Sequence, residues 1–421
     1  MVFNRKTAFS LVSIVLLFSC DCNKPQPDIN WNYSKSEITG NAHTNTEKLS
    51  VDIYLDVTTS MKGFVSPATT DFTKLLDDIE ATCQNIWKNT DIQFYKFGRN
   101  VVPMSRSEFV SGKTSPDIYS DPNLSTQTNF DEAVKKTNYK RVSILITDFF
   151  YNNNDVNLVV NSIKTYCFQK GVEAGVIGLS SAFKGIVADV QPPVSVKGLR
   201  PLYVLVFGDK QNINLLFNTF KNKNYIKPNQ LLLITDKPTE SYEVNVIKDR
   251  KNRTINKQSL KKELQDYGTV FNFRMKEAEK TALLNAEITL NTNPYVIAIT
   301  EKNLKPLVFK KTGSTKDSIA VYNELTLQNV KFTGNTIKAD VNLVNNDKAG
   351  KYSYAVYLTL DNTIPPEMPK WVKEVSTETY AQGVNENKTL NLEKLLTSIS
   401  VNHITYAQPK IAKFYVNIEK K

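Results

Sequence analysis

The stretch VDIYLDVTTSMKGF, residues 51–64, decides how this chain is read. Residues 51–55 alternate apolar and polar side chains, which is the pattern of a β-strand. Asp56, Thr58 and Ser60 then follow at every second position as the chain leaves the strand. A carboxylate and two hydroxyls at that spacing suit a turn, a helix cap or a metal site. Which of these applies depends on what other chain segments end beside them.

Working outward, Phe72, Leu75, Leu76, Ile79, Cys83 and Ile86 form a helical stripe within residues 71–89. Residues 91–97 (DIQFYKF) alternate as a strand, and NVVPM (100–104) reads as a short one. NFDEAVKKTN (129–138) reads as a helix with Asn129 near its start. RVSILITD (141–148) is a nearly continuous apolar run, as expected of a central parallel strand buried on both faces. VNLVVNSIKTYCFQKG (156–171) reads as a helix stopped by Gly171. VEAGVIGLS (172–180), RPLYVLVFGD (200–209) and QLLLITD (230–236) read as strands, with a helix over NINLLFNTFKN (212–222). Residues 181–198 have the look of an inserted hairpin. Strands alternating with helices imply βαβ units and an α/β, doubly wound, mostly parallel Rossmann-like sheet. Ligands of such sheets bind outside the carboxyl ends of the strands. Asp56 and Asp148 both stand at such ends.

With these pieces placed, residues 48–210 resemble the von Willebrand factor type A (vWA) family and its metal-ion-dependent adhesion site (MIDAS). The family's first strand ends in Asp-x-Ser-x-Ser, and here Asp56-Val57-Thr58-Thr59-Ser60 stands in that place. A threonine before a helix follows in the family, matched by Thr128 in TNFDEA with Ala133 five residues on. A later strand ends in aspartate, matched by Asp148. The resemblance implies a divalent cation, with Mg²⁺ expected and Mn²⁺ or Ca²⁺ as alternatives. Thr58, Ser60 and Thr128 would give hydroxyl oxygens, and Asp56 and Asp148 would act mainly through water and hydrogen bonds. An open position would accept a carboxylate from a protein partner. Mg²⁺ takes six oxygens at about 2.0–2.1 Å, so hydroxyls are suitable ligands. The family has Gly after the last aspartate, whereas this chain has Phe149, Phe150 and Tyr151. Phe149 is expected to pack beneath the loop, with an apolar rim for a ligand as the alternative.

Other chemistries find less support. A phosphatase of the haloacid dehalogenase type needs a second aspartate where Thr58 stands. Only His43 and His403 are available for imidazole catalysis, and neither sits in a motif. There is no P-loop, no glycine-rich dinucleotide turn and no H-E-x-x-H. The expectation is therefore a binding protein and not an enzyme. A metal-dependent hydrolase in the same pocket and a metal-free scaffold are the alternatives.

The 421 residues suffice for two or three domains, and 41% apolar content can fill their cores. The net charge of +11 comes mostly from scattered lysines, which suits a solvated surface and gives no nucleic-acid signature. MVFNRKTAFSLVSIVLLFSC opens with Arg5 and Lys6 before an apolar run too short to span a bilayer comfortably, as in a secretory signal. Its end, Leu17-Phe18-Ser19-Cys20, resembles the lipobox of bacterial lipoproteins. That resemblance implies lipidation of Cys20 and attachment to a membrane of the bacterial cell envelope, periplasmic or surface-exposed.

The expected organisation is a signal peptide over 1–19, a flexible stalk over 20–48 and the vWA-like domain over 49–236. A β-rich, sandwich-like domain over 237–421 completes it. The last rests on segments such as TIKADVNLV and KYSYAVYLTLD, which alternate with period two between Asn, Gly and Asp turns. Helical patterns interrupt it at 259–268 and 390–400, and Trp371 is expected in its core. Cys83 and Cys167 should lie on helices covering opposite sheet faces, so no disulfide is expected between them.

Overall fold

The computed structural model describes residues 31, 35–40, 49–66, 68–150, 156–187, 193–249, 256–258, 269–313, 317–379 and 387–421. The signal segment, Cys20, Cys22, His43, Tyr151 and the helix expected over 259–268 lie outside the described residues. Among the described residues, no helix is long and apolar enough to cross a membrane.

The first half builds a seven-stranded sheet from β1 (Ser50–Asp56), β2 (Asp91–Phe97), β3 (Val101–Met104), β4 (Arg141–Thr147), β5 (Glu173–Val187), β6 (Val194–Gly208) and β7 (Leu231–Ile234). Its order is β3-β2-β1-β4-β6-β5-β7. Period-two alternation in β1 sends Val51, Ile53 and Leu55 into one apolar core and Tyr54 into another. The Asp71–Ile86 and Lys210–Phe220 helices bury their stripes in the first core, and Phe130–Val134 and Val156–Tyr166 in the second. Helices thus cover both faces. A reciprocal cap starts the Asp71–Ile86 helix, where the Thr73 amide donates to Thr70 Oγ1 at 3.2 Å and the Thr70 amide to Thr73 Oγ1 at 2.8 Å. Such a cap contributes about 1 kcal/mol. Cys83 and Cys167 are buried, free and in separate cores, as the crossover argument requires.

One expectation fails here. β1 pairs in parallel with β2 and β4, but β6 runs antiparallel to both β4 and β5, and β7 antiparallel to β5. The sheet is mixed and not mostly parallel. The cause is the length of the hairpin, in which β5 and β6 stay paired from Glu173–Gly208 to Val187–Val194. The returning arm is wedged between β4 and β5 and takes the place a parallel neighbour would have.

Among the described residues the second half holds two larger sheets and a two-stranded one, Ser376–Thr377 with Thr389–Leu390. One has six strands, in the order Ile319–Ala320, Leu304–Thr312, Gly350–Leu360, Lys410–Lys420, Thr269–Met275 and Asn256–Gln258. The other has four, in the order Leu325–Thr333, Thr336–Val344, Thr281–Thr292 and Thr239–Asp249. Leu284, Ile288 and Val341 of the four-stranded sheet share a core with Phe271, Val356 and Phe414 of the six-stranded one. The Thr269–Met275 and Lys410–Lys420 strands pair in parallel, so the six-stranded sheet is mixed. The Leu392–Ala407 helix occupies the place read as helical and packs on the Val156–Tyr166 helix. Trp371 is buried, with its ring so close to Gly178 of β5 that a Cβ there would come within 2.6 Å.

The stalk reading needs correction at its end. Ile38 is fully buried, and Glu37 accepts from Lys410 and, at 2.8 Å, from Lys413. Trp31 donates to Ser353 Oγ at 2.9 Å and packs against Tyr415. A few anchors set among polar residues fasten this segment to the six-stranded sheet without producing any periodic pattern.

Candidate functional site

The carboxyl ends of β1 and β4 bring Asp56, Thr58, Ser60 and Asp148 together. Asp56 is the last residue of β1, and Thr58 precedes a 3-10 turn over Thr59–Phe64. Asp56 Oδ1 accepts from the Thr58 amide at 2.9 Å and from Thr58 Oγ1 at 2.6 Å. Its Oδ2 accepts from Thr147 Oγ1, the last residue of β4, at 2.7 Å. Asp56 therefore ties the two strand ends together with both oxygens. Thr58 Oγ1 and Ser60 Oγ lie 3.1 Å apart. Because the Thr58 proton points to Asp56, Ser60 is the donor of that contact, and one Thr58 lone pair is left for another partner.

The third segment, residues 121–129, is fastened to the turn after β1 and to the turn after β2. The Thr59 amide donates to the Ser125 carbonyl at 3.1 Å, and the Arg99 amide to that of Leu124 at 2.9 Å. The Asn129 amide donates to the Gly98 carbonyl at 2.8 Å. Gly98 permits this approach, since a Cβ there would stand 2.1 Å from the Leu124 carbonyl oxygen. Thr128 lies on this loop, and its hydroxyl is buried without a hydrogen-bond partner. Leaving such a group unpaired costs about 1–3 kcal/mol.

Asp56 is fully buried and Asp148 is 5% exposed. Burial, and next the neighbouring Asp148 charge, push the Asp56 carboxyl up to about 7. Asp56 makes no ion pair with a basic side chain among the described residues. A buried carboxylate pair beside the Thr58 and Ser60 hydroxyls, with the orphaned Thr128 hydroxyl on a loop bonded to their turn, is a donor set that suits a hard divalent cation. No cluster of three or more His, Cys, Asp or Glu side chains with metal-binding spacing occurs among the described residues, so the hydroxyls are essential to this candidate.

Asp148 Oδ1 accepts the Phe150 amide at 3.0 Å, which turns the chain sharply past β4. Phe149 in that turn has φ +60°, the left-handed region, where a bulky side chain is strained. Its ring is buried between Phe130 and Tyr203, at 6.0 and 5.0 Å between centroids. It packs inward and does not form a ligand rim. The inserted hairpin lies against the turn after Ser60, with the Phe183 ring on Phe64 and over Gly63.

Sequence reading missed a second set of acids. Glu173, Asp209 and Asp236 stand at the other end of the sheet, where β5 begins and β6 and β7 end. The signal was present, because VFGD and LITD also end strands in aspartate. No protein-family model matches the chain, and no curated protein matches its sequence.

Proposed function

We propose that this protein is a lipid-anchored protein of the bacterial cell envelope that binds a protein partner through a divalent cation, using a vWA-like domain. Thr58, Ser60 and Thr128 would hold the ion, with Mg²⁺ as the expected species and Asp56 and Asp148 orienting the hydroxyls and bound water. The bound ion would supply a Lewis-acidic position for a partner carboxylate. The observation that carries the reading is the buried Thr128 hydroxyl without a partner, on a loop hydrogen-bonded to the turn bearing Thr58 and Ser60.

Two further features support it. Asp56 uses both oxygens to position Thr58 and Thr147, as an orienting group would. Phe149, where the family has glycine, holds the left-handed conformation that glycine adopts without strain, which is compatible with the resemblance at this turn. The β-rich second half would position or extend the binding surface.

Calorimetric titration of the purified protein with Mg²⁺ or Mn²⁺, beside an Asp56→Ala variant, tests this reading. Saturable heat in the parent and at least ~100-fold weaker binding in the variant are expected, in line with loss of an orienting ligand. Identical heats in the two proteins would instead favour a metal-free scaffold. Metal-dependent turnover of ester or phosphate substrates would favour a hydrolase.

A further inference from the structure

The end of the sheet opposite Asp56 holds a cavity of about 350 Å³. Strand pairing builds its floor. Glu173 opens β5 and pairs with Gly208 at the end of β6, while Ala174 pairs with Ile234 at the end of β7. Asp209 directly follows β6 and Asp236 comes two residues after the end of β7, so three carboxyls reach one edge from adjacent strands about 4.8 Å apart. The Leu392–Ala407 helix adds His403 and Tyr406, and Phe168 supplies an aromatic wall. Both halves of the chain thus contribute to this cavity.

His403 is the second and independent observation. It is 4% exposed and lines the cavity, with its ring edge-on to Phe168 at 4.6 Å. It makes no hydrogen bond among the described residues. A neutral imidazole has a donor and an acceptor to satisfy. Burial holds this histidine down to about 4, so the ring is neutral and keeps an acceptor nitrogen at neutral pH.

The charges around it are unequal. Lys210 donates to the Lys237 carbonyl at 2.7 Å and pairs with Glu240 at 3.1 Å. Lys237 lies 3.9 Å from Asp236, beyond hydrogen-bond distance. Asp209 uses one oxygen on the Gln211 amide at 2.8 Å, while Glu173 accepts from Thr235 and is hydrogen-bonded to Asp236, and burial followed by the Asp236 charge holds its carboxyl well above the usual carboxylate range. Acidic groups outnumber lysines along the wall, which disfavours an anionic ligand. The carboxyls and His403 do not form a metal-binding cluster among the described residues. An ammonium group offers several strong donors to carboxyls and an imidazole, and it is attracted to aromatic faces.

We propose that this cavity binds a small organic molecule through a protonated amine, held by the Asp209 and Asp236 carboxyls and the acceptor nitrogen of His403. The proposal is independent of the metal reading, since it uses the other end of the sheet.

Titration of the full-length protein with putrescine, ethanolamine and the uncharged isostere butane-1,4-diol tests it, with calorimetry and melting temperature as readouts. The expected result is an amine Kd of ~1 mM or tighter, within reach of a ligand of this few atoms, and no response to the diol. Asp209→Asn keeps the helix cap while removing the charge, and it should weaken amine binding at least ~10-fold. His403→Phe should also weaken it, and Asp56→Ala should leave it unchanged. Equal binding of amine and diol, no amine binding up to ~50 mM, or unaltered affinity in a folded Asp209→Asn protein would each overturn the proposal.

Discussion

The two ends of the seven-stranded sheet both collect carboxyls, but in different company. At one end Asp56 and Asp148 sit with Thr58, Ser60 and Thr147, and Asp56 pairs with no basic side chain among the described residues. At the other, Glu173, Asp209 and Asp236 share a roomy cavity with two lysines, a neutral histidine and aromatic walls. Small hydroxyl ligands at the first end favour a hard ion that wants oxygen, whereas volume and aromatic surface at the second favour an organic cation. Strand ends alone do not determine a ligand. The side chains brought by the adjoining loops and helices do.

The comparison is broken most forcefully at Phe149, which shapes the Asp148 turn. Phe149→Ala should cost about 3–5 kcal/mol by loss of a buried aromatic ring. Phe149→Gly should cost ~1 kcal/mol less, because glycine relaxes the +60° φ. Urea denaturation of both variants checks this, and a glycine variant clearly less stable than the alanine one would contradict the strain.

His403 probes the other end. Its folded value of about 4 lies below the ordinary 6.5, so between those pH values the unfolded chain binds the proton and the folded chain does not. Stability should therefore fall as pH drops from about 6.5 to about 4, by about 3 kcal/mol at ~1.4 kcal/mol per pH unit. Denaturation at pH 7.5 and pH 4 should show a smaller loss for a folded His403→Phe protein by that amount. Equal losses would mean that the ring is hydrated or paired.

A finer test separates the ends through Gly98. Gly98→Ala would drive the Leu124 carbonyl outward and displace the loop bearing Thr128, costing about 1–3 kcal/mol. Divalent-metal affinity should fall with it, and amine binding should not change. The smallest effect is that of pH on the metal end. With the Asp56 carboxyl near 7, about nine-tenths is ionised at pH 8 and about one-tenth at pH 6, and a cation must displace the proton. Mg²⁺ or Mn²⁺ affinity should thus weaken about tenfold between those values. Binding that is flat with pH would remove Asp56 from the ion's surroundings.

Much of the architecture was legible in the sequence, for identifiable reasons. Alternation in 51–55, the stripe from Phe72 to Ile86 and the run 141–147 each have one dominant periodicity, and each became the expected element. The direction of β6 was not legible, because an apolar run buried on both faces is the same in either direction. Docking of Ile38 and Glu37 was hidden as well, since it depends on partners more than 300 residues away. Asp56, Thr58, Ser60 and Asp148 were legible as strand-end residues. The cavity was not, since His403 comes from a distant helix and its role depends on how the two halves pack.

The most direct measurement of the central claim is anomalous diffraction from crystals of the protein grown with Mn²⁺. The account predicts a single strong peak bounded by the hydroxyl oxygens of Thr58, Ser60 and Thr128, absent from Asp56→Ala crystals. A peak elsewhere, or a native side chain occupying that position in crystals saturated with Mn²⁺, would contradict it.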